Sequence, residues 1–270
     1  MGGAAQGPSA KNITIKTRDE IQIMAAANQI VAEVLVMLED AVEPGITTYD
    51  LDGMAQSLCE KRGAKPAFKG YRGFPASLCV SINEQVVHGI PSRKRKLKKG
   101  DIVSFDFGTI YQGYFGDSAI SVAVGRIDDE KKRLLAVTEA SLMAAIEQIR
   151  PGNRIADIGA AVQGYVEQHG FSVVRQFVGH GIGATLHEGP EIPNFVQQGS
   201  SPRLREGMVV AVEPMVNVGT AQVKVLADGW TVVTQDGRPS AHFEHSIAVT
   251  EDGPRILSSR EKFVVEAKIA

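Results

Sequence analysis

The feature that most constrains the fold of this chain is an internal repeat with an offset of 107 residues. At this offset the Pro-Gly pair at 44–45 matches the pair at 151–152. The same register aligns residues 97–106 with residues 204–213 without a gap. A period this long exceeds that of solenoid repeats, so the pattern predicts a duplicated unit whose two halves close around one shared site.

Each half begins with a helix that precedes the Pro-Gly turn and a second helix. Residues 17–44 and 128–149 carry apolar side chains at helical spacing. Thr17 and Glu20 stand three residues apart at the start of the first pattern, which is the spacing of a capping box. The sequence therefore predicts a long core helix at the start of each half and a shorter helix that ends at a glycine.

Paired strands follow the helices in each half. Residues 101–109 and 112–125 flank a short corner at residues 110–111, which predicts a long antiparallel hairpin. Residues 208–216 and 242–250 have the same pattern in the second half. We therefore predict an α+β fold in which helices pack on a central antiparallel or mixed sheet with pseudo-two-fold symmetry.

The composition is that of a soluble globular protein, with 43% hydrophobic residues, 22% charged residues and a net charge of −2. The two cysteines cannot form a disulfide framework, and this favours a reducing cytoplasmic location. The best candidate for a membrane span, residues 21–38, is interrupted by polar residues, and we predict no membrane association and no secretory signal. We assign residues 1–14 to a disordered tail or cloning scar and residues 15–270 to one domain, with halves at about 17–125 and 126–257.

Four acidic residues stand where the sequence predicts buried strands. Asp106 and Glu213 occupy equivalent positions of the repeat, and Asp117 and Glu244 lie on the expected neighbouring strands. An unpaired buried carboxylate is very costly, and no Lys or Arg lies near these acids in the strands. Two divalent cations balance four carboxylates, so the pattern predicts a dinuclear metal site.

A histidine supplies a fifth candidate ligand. His180 lies between Gly179 and Gly181, where glycine permits close approach of the backbone to a site. Imidazole favours Mn, Fe, Co or Zn over Mg or Ca. The residues alone therefore predict a two-metal hydrolase centre. A two-metal phosphoesterase is the competing hypothesis, but no Lys or Arg that would hold a phosphate is evident beside the acids.

One further histidine in each half, His88 and His187, lies next to turn residues. An imidazole there could donate to a carbonyl or an oxyanion, or exchange a proton with a leaving amine. Both residues could equally be ordinary loop histidines, and the residues alone leave the two interpretations open.

Five short motifs, in this order, are similar to those of the type I methionine aminopeptidases. They are the segment 79–91, Gly116-Asp117, the segment 179–183, Glu213-Pro214 and Phe243-Glu244-His245. The resemblance runs from about residue 17 to the last strand and implies the pita-bread fold. It also implies an enzyme that removes the N-terminal methionine, during translation, from proteins whose second residue is small.

The resemblance also implies a ligand set. Asp106 binds one metal ion, and His180 and Glu213 bind the other. Asp117 and Glu244 bridge the pair. The implied cofactors are two divalent ions, Co, Mn, Fe or Zn, and the residues do not distinguish among these metals.

Catalytic roles follow from the same resemblance. Water activated by the metals attacks the carbonyl of the N-terminal methionine, and Glu213 shuttles the proton. His187 stabilises the developing oxyanion, and His88 hydrogen-bonds near the scissile amide.

The resemblance further implies a pocket for the methionine side chain and a site for a monovalent cation. The substrate-binding residues are Phe68, Tyr71, Phe74, Cys79, His88, Leu186, His187 and Trp230. A flexible thioether suits an apolar, aromatic pocket of this kind. Phe68 and Leu186 differ from the cysteine and the aromatic residue common in bacterial members. A Na or K ion is expected beside Asn83, Gln85 and Ser240.

The segment 93–99, from Arg93 to Lys99, carries six cations in seven residues. It is either a solvated loop or a contact for ribosomal RNA, since the expected substrates are the N-termini of nascent chains. We expect the protein to be a monomer.

Two alternative functions share the predicted fold. A proline-specific peptidase has much of the same metal set, but its N-terminal domain is missing from this chain of 270 residues. A non-catalytic binding protein is disfavoured because all five ligand positions are filled. The absence of long insertions between the motifs favours a bacterial-style type I enzyme over type II.

Overall fold

The computed structural model of the protein describes residues 13–261 and residue 263. Most of the predicted tail, residues 1–12, lies outside the described residues. The last two residues assigned to the tail, Ile13 and Thr14, are described and contact strand-forming residues of the second half. Ile13 forms an isolated parallel bridge with Gly189, and the Thr14 hydroxyl donates to Glu188.

The described residues form four α-helices: α1 Arg18–Asp40, α2 Thr48–Lys61, α3 Asp129–Ile146 and α4 Ile155–Gln168. Helix α4 begins 107 residues after the start of α2 and ends 107 residues after its end, which is the offset of the repeat in the sequence. Thr17 caps α1 in a complete capping box with Glu20. Helix α1 is long and apolar enough to cross a membrane, but 61% of its most apolar window is buried in the fold. It is therefore a core helix, and it packs against the strands that carry the first two acids.

Fifteen strands in the described residues complete the architecture. In the first half they are β1 Lys65–Pro66, β2 Leu78–Ile82, β3 Gln85–Val87, β4 Ile102–Tyr111 and β5 Tyr114–Ala123. In the second half they are β6 Ser172–Val173, β7 Gly179–Gly181, β8 Glu188–Ile192, β9 Val209–Val212, β10 Met215–Asn217, β11 Val223–Val225, β12 Val232–Thr234, β13 Ser240–His242, β14 His245–Thr250 and β15 Gly253–Ile256.

The strands pair antiparallel in four small sheets. One sheet has the order β1-β4-β2 with β5 paired to β4, and its counterpart has the order β15-β14-β9-β7-β8. Two three-stranded sheets, β13-β10-β6 and β11-β12-β3, complete the set. The architecture is the predicted α+β pita-bread arrangement, in which helices cover sheets from both halves.

The turn of the first hairpin lies two residues later than the sequence predicts. Strand β4 runs through the expected corner to Tyr111, which pairs with Tyr114. Gln112 and Gly113 form the turn, with φ angles of 49° and 84°. Positive φ at both central residues matches the right-handed twist of the strands, and this favours the Gln-Gly pair over Ile-Tyr.

The strands of the second half are interrupted, whereas the sequence predicted continuous strands over 208–216 and 242–250. Strand β9 ends before Glu213-Pro214, and β10 begins after it. Proline has no N–H to donate to a ladder, so the break falls at Pro214. The partner strands β13 and β14 are interrupted opposite it, at Phe243-Glu244. Both interruptions therefore fall on candidate ligands.

A seam of hydrogen bonds joins the two halves beside these acids. Ala119 on β5 forms an antiparallel bridge with Glu244. The Ser118 hydroxyl donates to the Glu244 carbonyl at 2.5 Å, and the Ser246 hydroxyl donates to the Asp117 carbonyl at 2.8 Å. All of these groups are buried, so the seam fixes the backbones of two acids from different halves next to each other.

Candidate metal centre

The first two acids lie on one face of the β4–β5 hairpin. Asp106 is opposite Ala119, and Asp117 is opposite Gly108, so the two acids are diagonal neighbours across the pair. Phe105 and Phe107 belong to the apolar core. Because side chains alternate along a strand, Asp106 points away from that core towards the other half.

The other ligand candidates come from the second half. His180 on β7 is opposite Ala211 on β9, and Glu213 follows two residues later on the same side. Glu244 immediately precedes β14, whose first residue is opposite Val212. All five predicted ligand positions therefore converge where the two halves meet.

The ligand atoms lie close together. One side-chain atom each from Asp117, His180 and Glu244 falls within 4.8 Å of the other two. The Nε2 atom of His180 is 3.6 Å from Oε1 of Glu213. This spacing allows one small cation to contact several of these groups at once.

Burial sets the electrostatics of the cluster. It raises the pKa of Asp106 to about 7. Burial first, and then the neighbouring carboxylates, raise the pKa of Asp117, Glu213 and Glu244 well above their ordinary values. Burial also lowers the pKa of His180 to about 4, so this imidazole is neutral, as a metal ligand must be.

The donor set fits a divalent cation. Oδ1 of Asp106, Oδ1 of Asp117 and Oε1 of Glu244 are buried and have no hydrogen-bond partner among the described residues. No Lys or Arg in the described part of the chain forms an ion pair with any of these three acids. A bound cation would satisfy orphaned buried oxygens of this kind. The second imidazole nitrogen of His180, Nδ1, lies 2.9 Å from the Gly181 carbonyl, which leaves Nε2 to act as the ligand.

The glycines around His180 serve strand packing rather than the approach of the backbone to the site that the sequence suggested. A Cβ atom at Gly179 would lie 2.3 Å from the Ala211 carbonyl oxygen. A Cβ atom at Gly181 would lie 2.2 Å from the Gly189 carbonyl oxygen. The glycines therefore allow β7 to fit between β8 and β9 and so fix the position of the imidazole.

Sequence analysis missed one residue that supports the centre. Asn28 is fully buried on α1, where its amide donates to the Met24 carbonyl at 2.9 Å and accepts from the Asp117 N–H at 3.2 Å. The available signal was a lone amide at an apolar position of the helical pattern. Because Asn28 holds the Asp117 backbone, it connects α1 directly to the cluster.

The contact between α1 and β5 gives a prediction for Gly116. A Cβ atom there would lie 2.9 Å from backbone atoms of Ala27 and Asn28, which cannot move without displacing the helix. We expect Gly116→Ala to lower the free energy of unfolding by about 1–3 kcal/mol and to lower metal affinity, because Asp117 moves with it. Urea unfolding and metal titration measure both effects. Gly164→Ala in α4, where a Cβ meets nothing within 4 Å, is the control and should be neutral or stabilising.

The two predicted catalytic histidines lie in aromatic surroundings. His88 packs edge-on against Phe177 and Trp230, with ring centroids 5.6 Å and 6.3 Å away. Burial lowers the pKa of His88 to about 4. The His187 ring centroid lies 4.2 Å from that of His180, so His187 borders the metal centre. Burial, and then His180, lower the pKa of His187 to about 3.

The predicted pocket residues also come together. One apolar cluster contains Phe68, Tyr71, Phe74, Cys79, Leu186 and Trp230. Phe74 and Trp230 are in edge-to-face contact at 5.2 Å, and Trp230 also contacts His88. Phe68 lies against Gly108, where a Cβ atom would be 2.7 Å from its ring. The aromatic ring that replaces the expected cysteine therefore occupies space that only a glycine on β4 leaves free.

The three residues predicted to hold a monovalent cation lie on neighbouring elements. The Ser240 N–H donates to the Asn83 carbonyl at 2.8 Å, and the Ser240 hydroxyl donates to the Val216 carbonyl. The Gln85 side chain accepts from the Ile82 N–H at 2.9 Å. The Gln85 and Ser240 side chains are therefore used in hydrogen bonds to the backbone.

The basic segment forms an exposed surface between β3 and β4. Its six cations, Arg93, Lys94, Arg95, Lys96, Lys98 and Lys99, are all exposed, whereas Leu97 is buried and anchors the segment. The Arg93 guanidinium lies 3.6 Å from the centre of the Tyr49 ring. Backbone hydrogen bonds also join Thr48 to Arg95 and Ile46 to Leu97. The backbone of the segment is thus held in place, and its six positive charges are exposed.

Comparison with known proteins agrees with this geometry. Residues 22–251 match metallopeptidase family M24. A methionine aminopeptidase of Clostridium acetobutylicum is 51% identical, over 91% of this chain and 98% of the relative. The crystal structure of a methionine aminopeptidase from Thermotoga maritima has a TM-score of 0.90 and 46% identity, covering 92% of this chain and 99% of that one.

A more distant match shows the fold alone. The prolidase of Pyrococcus furiosus has a TM-score of 0.74 and 22% identity. The match covers 92% of this chain and 66% of the prolidase chain.

Proposed function

The chain belongs to metallopeptidase family M24, within which it is a methionine aminopeptidase, and we propose how its own residues carry out the removal of an N-terminal methionine. The observation that carries the proposal is the convergence of four carboxylates and a neutral imidazole, with orphaned oxygens, between the two halves of the fold. The protein is a metal-dependent aminopeptidase.

The proposed centre would hold two divalent ions. Asp106 would bind one ion, and His180 and Glu213 would bind the other. Asp117 and Glu244, whose backbones the seam between the halves holds next to each other, would supply oxygens to both ions. Divalent ions bound there would supply polarisation of the scissile carbonyl, a lowered pKa of water and a ligand position for the free amine of the substrate. Recognition of that amine accounts for an exopeptidase.

The remaining steps belong to three side chains. Glu213 takes the proton of the attacking water on a carboxylate oxygen and passes it to the leaving amine. His187 donates a hydrogen bond to the oxygen of the tetrahedral intermediate. His88, held between Phe177 and Trp230, hydrogen-bonds the amide that is cleaved.

The substrate side chain occupies the apolar cluster described above. Tyr71, Phe74 and Trp230 supply aromatic faces for the methionine thioether. Cys79 belongs to the same cluster and is buried. Phe68 and Leu186 keep the pocket apolar, and both are buried. The N-termini of nascent chains are the substrates.

Peptide cleavage tests this function. We expect the metal-loaded protein to release methionine from Met-Ala and Met-Gly peptides with kcat/KM about 100-fold or more above that for Met-Leu peptides. Chromatographic detection of free methionine measures the rates. Leu-Ala peptides test the pocket, and Xaa-Pro peptides test the proline-specific alternative. Equal turnover of Met-Ala and Met-Leu would remove the proposed selectivity.

The physiological metal is one of Fe, Mn, Co and Zn. Metal content and activity of protein purified without oxygen identify the physiological metal.

We also propose a monovalent cation, Na or K, held in part by backbone carbonyls near Asn83, Gln85 and Ser240. The contact between Asn83 and Ser240 supports this assignment.

The basic segment 93–99 is the proposed contact with the ribosome. An exposed run of six cations on a backbone held by hydrogen bonds suits a phosphate backbone. Replacing all six by alanine is expected to abolish co-sedimentation with ribosomes, and raised salt is expected to weaken binding of the unaltered protein steeply. Peptide cleavage by the variant serves as the control for folding. Unchanged co-sedimentation would remove the hypothesis. A monomeric, cytoplasmic enzyme fits this role.

A further inference from the structure

The hydroxyl of Tyr71 contacts His187, a residue 116 positions away in the chain. Tyr71 Oη lies 2.8 Å from Nδ1 of His187, and the two rings are stacked with centroids 5.4 Å apart and an angle of 29°. On its other side His187 borders His180, at a centroid distance of 4.2 Å. His187 is thus held between the tyrosine and a candidate metal ligand.

Tyr71 is itself held in place by its backbone. It starts a short 3-10 turn, Tyr71–Gly73, that follows Gly70 with a φ of 84°. Its N–H donates to the Phe68 carbonyl at 2.9 Å, and its carbonyl accepts from the Phe74 N–H at 2.9 Å. Because the turn is fixed at both ends, the phenol has a defined direction towards the imidazole.

The hydrogen bond at Nδ1 decides which nitrogen of His187 carries the proton. A neutral imidazole has one N–H and one acceptor nitrogen. The imidazole nitrogen is a stronger base than the phenol oxygen, so the phenol is the donor. With Nδ1 accepting, the proton stands on Nε2, at the opposite edge of the ring. Only this tautomer can donate from Nε2.

We propose that Tyr71, besides lining the pocket, is a positioning residue that fixes the Nε2–H tautomer of His187 and aims it as a donor towards the substrate oxygen. The inference rests on the proposed role of His187 as the hydrogen-bond donor to the oxyanion. It explains why a polar hydroxyl stands in an otherwise apolar pocket: the phenol directs the imidazole rather than the thioether.

Nitrogen NMR of the histidine rings tests the tautomer directly. In full-length protein with 15N-labelled histidine, zinc-loaded and metal-free, we expect the His187 signals to show a protonated Nε2 and an acceptor Nδ1. His187→Gln identifies the signals among the six histidines. In Tyr71→Phe we expect the Nε2–H fraction to fall. A protonated Nδ1 in the unaltered protein, or an unchanged spectrum in Tyr71→Phe, would overturn the proposal.

Kinetics provide the second measurement. We expect Tyr71→Phe to lower kcat about fivefold, the equivalent of one net hydrogen bond, and to leave KM nearly unchanged because the ring is kept. In the His187→Gln background the same change should have no further effect. An equal loss in both backgrounds would contradict the positioning role. If His187→Gln alone leaves kcat unchanged, the proposed oxyanion role fails, while the NMR result still decides the tautomer.

Tyr165→Phe is the matched control. Tyr165 also stacks on a histidine, His169, with centroids 4.5 Å apart and an angle of 29°. His169 Nδ1 bonds to the Tyr165 backbone carbonyl rather than to the phenol. Loss of that hydroxyl should alter neither the tautomer of His169 nor the kinetics.

Discussion

We expect Asp117→Asn or Glu244→Gln to lower kcat/KM by about 10³-fold or more and to reduce the bound divalent metal measured by elemental analysis. Both acids are buried, both have an oxygen without a partner, and both lie within 4.8 Å of each other and of His180. Removing one negative charge would leave the bound cations under-compensated in a dry site, where charge interactions are strong. A variant with a near-normal rate would contradict the bridging assignment.

The same variants should stabilise the metal-free protein. Without cations, buried carboxylates that repel one another destabilise the fold, and the like charges of Glu244 and Asp106 are among the causes that raise the pKa of Asp117. Neutralising one acid is therefore expected to raise the Tm of chelator-treated protein. It should also abolish most of the Tm increase that added Mn or Co produces in the unaltered protein. Glu251→Gln, an exposed acid at the turn after β14, is the control and should change neither value.

The repeat made the fold and the acids predictable because both depend on local pattern. Helices α2 and α4 follow the repeat register at both ends, and α1 begins at the predicted capping box. Asp106 and Glu213 could be identified because a charged residue inside an apolar strand is conspicuous wherever the strand packs. Duplication then indicated that they face each other, which a single strand does not reveal.

The supporting contacts could not be predicted because they depend on how distant segments pack. Asn28 meets Asp117 across 89 residues, and Tyr71 meets His187 across 116. No local pattern distinguishes such an amide or phenol from a neighbour that faces a different element. The predicted position of the first hairpin turn, at residues 110–111, was wrong. The positive φ angles of Gln112 and Gly113 place the turn at this pair of residues.

Lys16 and Glu188 form a buried ion pair that ties the N-terminal segment to the loop carrying His187. The Nζ atom of Lys16 is 2.7 Å from Oε2 of Glu188, and the two side chains are only 5% and 10% exposed. Glu188 Oε1 also accepts from the Thr185 N–H at 3.2 Å. A Cβ atom at Gly183 would lie 2.5 Å from Glu188 Oε1 and 2.6 Å from Lys16 Cε, so the pair fills the space beside that glycine.

Breaking this pair on one side should be strongly destabilising. We expect Lys16→Met to lower the free energy of unfolding by about 3–5 kcal/mol, because the Glu188 carboxylate stays buried without its cation. Replacing both residues, Lys16→Met with Glu188→Leu, should recover most of that loss, since two apolar side chains of similar volume leave no charge behind. Urea unfolding of the two single variants and the double variant measures the coupling between them.

An exposed ion pair provides the control for these substitutions. Lys132 Nζ lies at the same distance, 2.7 Å, from Asp129 on α3, but the two side chains are 56% and 92% exposed. Solvent screens such a pair, so Lys132→Met should change the free energy of unfolding by less than about 1 kcal/mol. If Lys16→Met has an equally small effect, burial does not govern the Lys16–Glu188 pair. The N-terminal segment would then contribute little to holding the His187 loop.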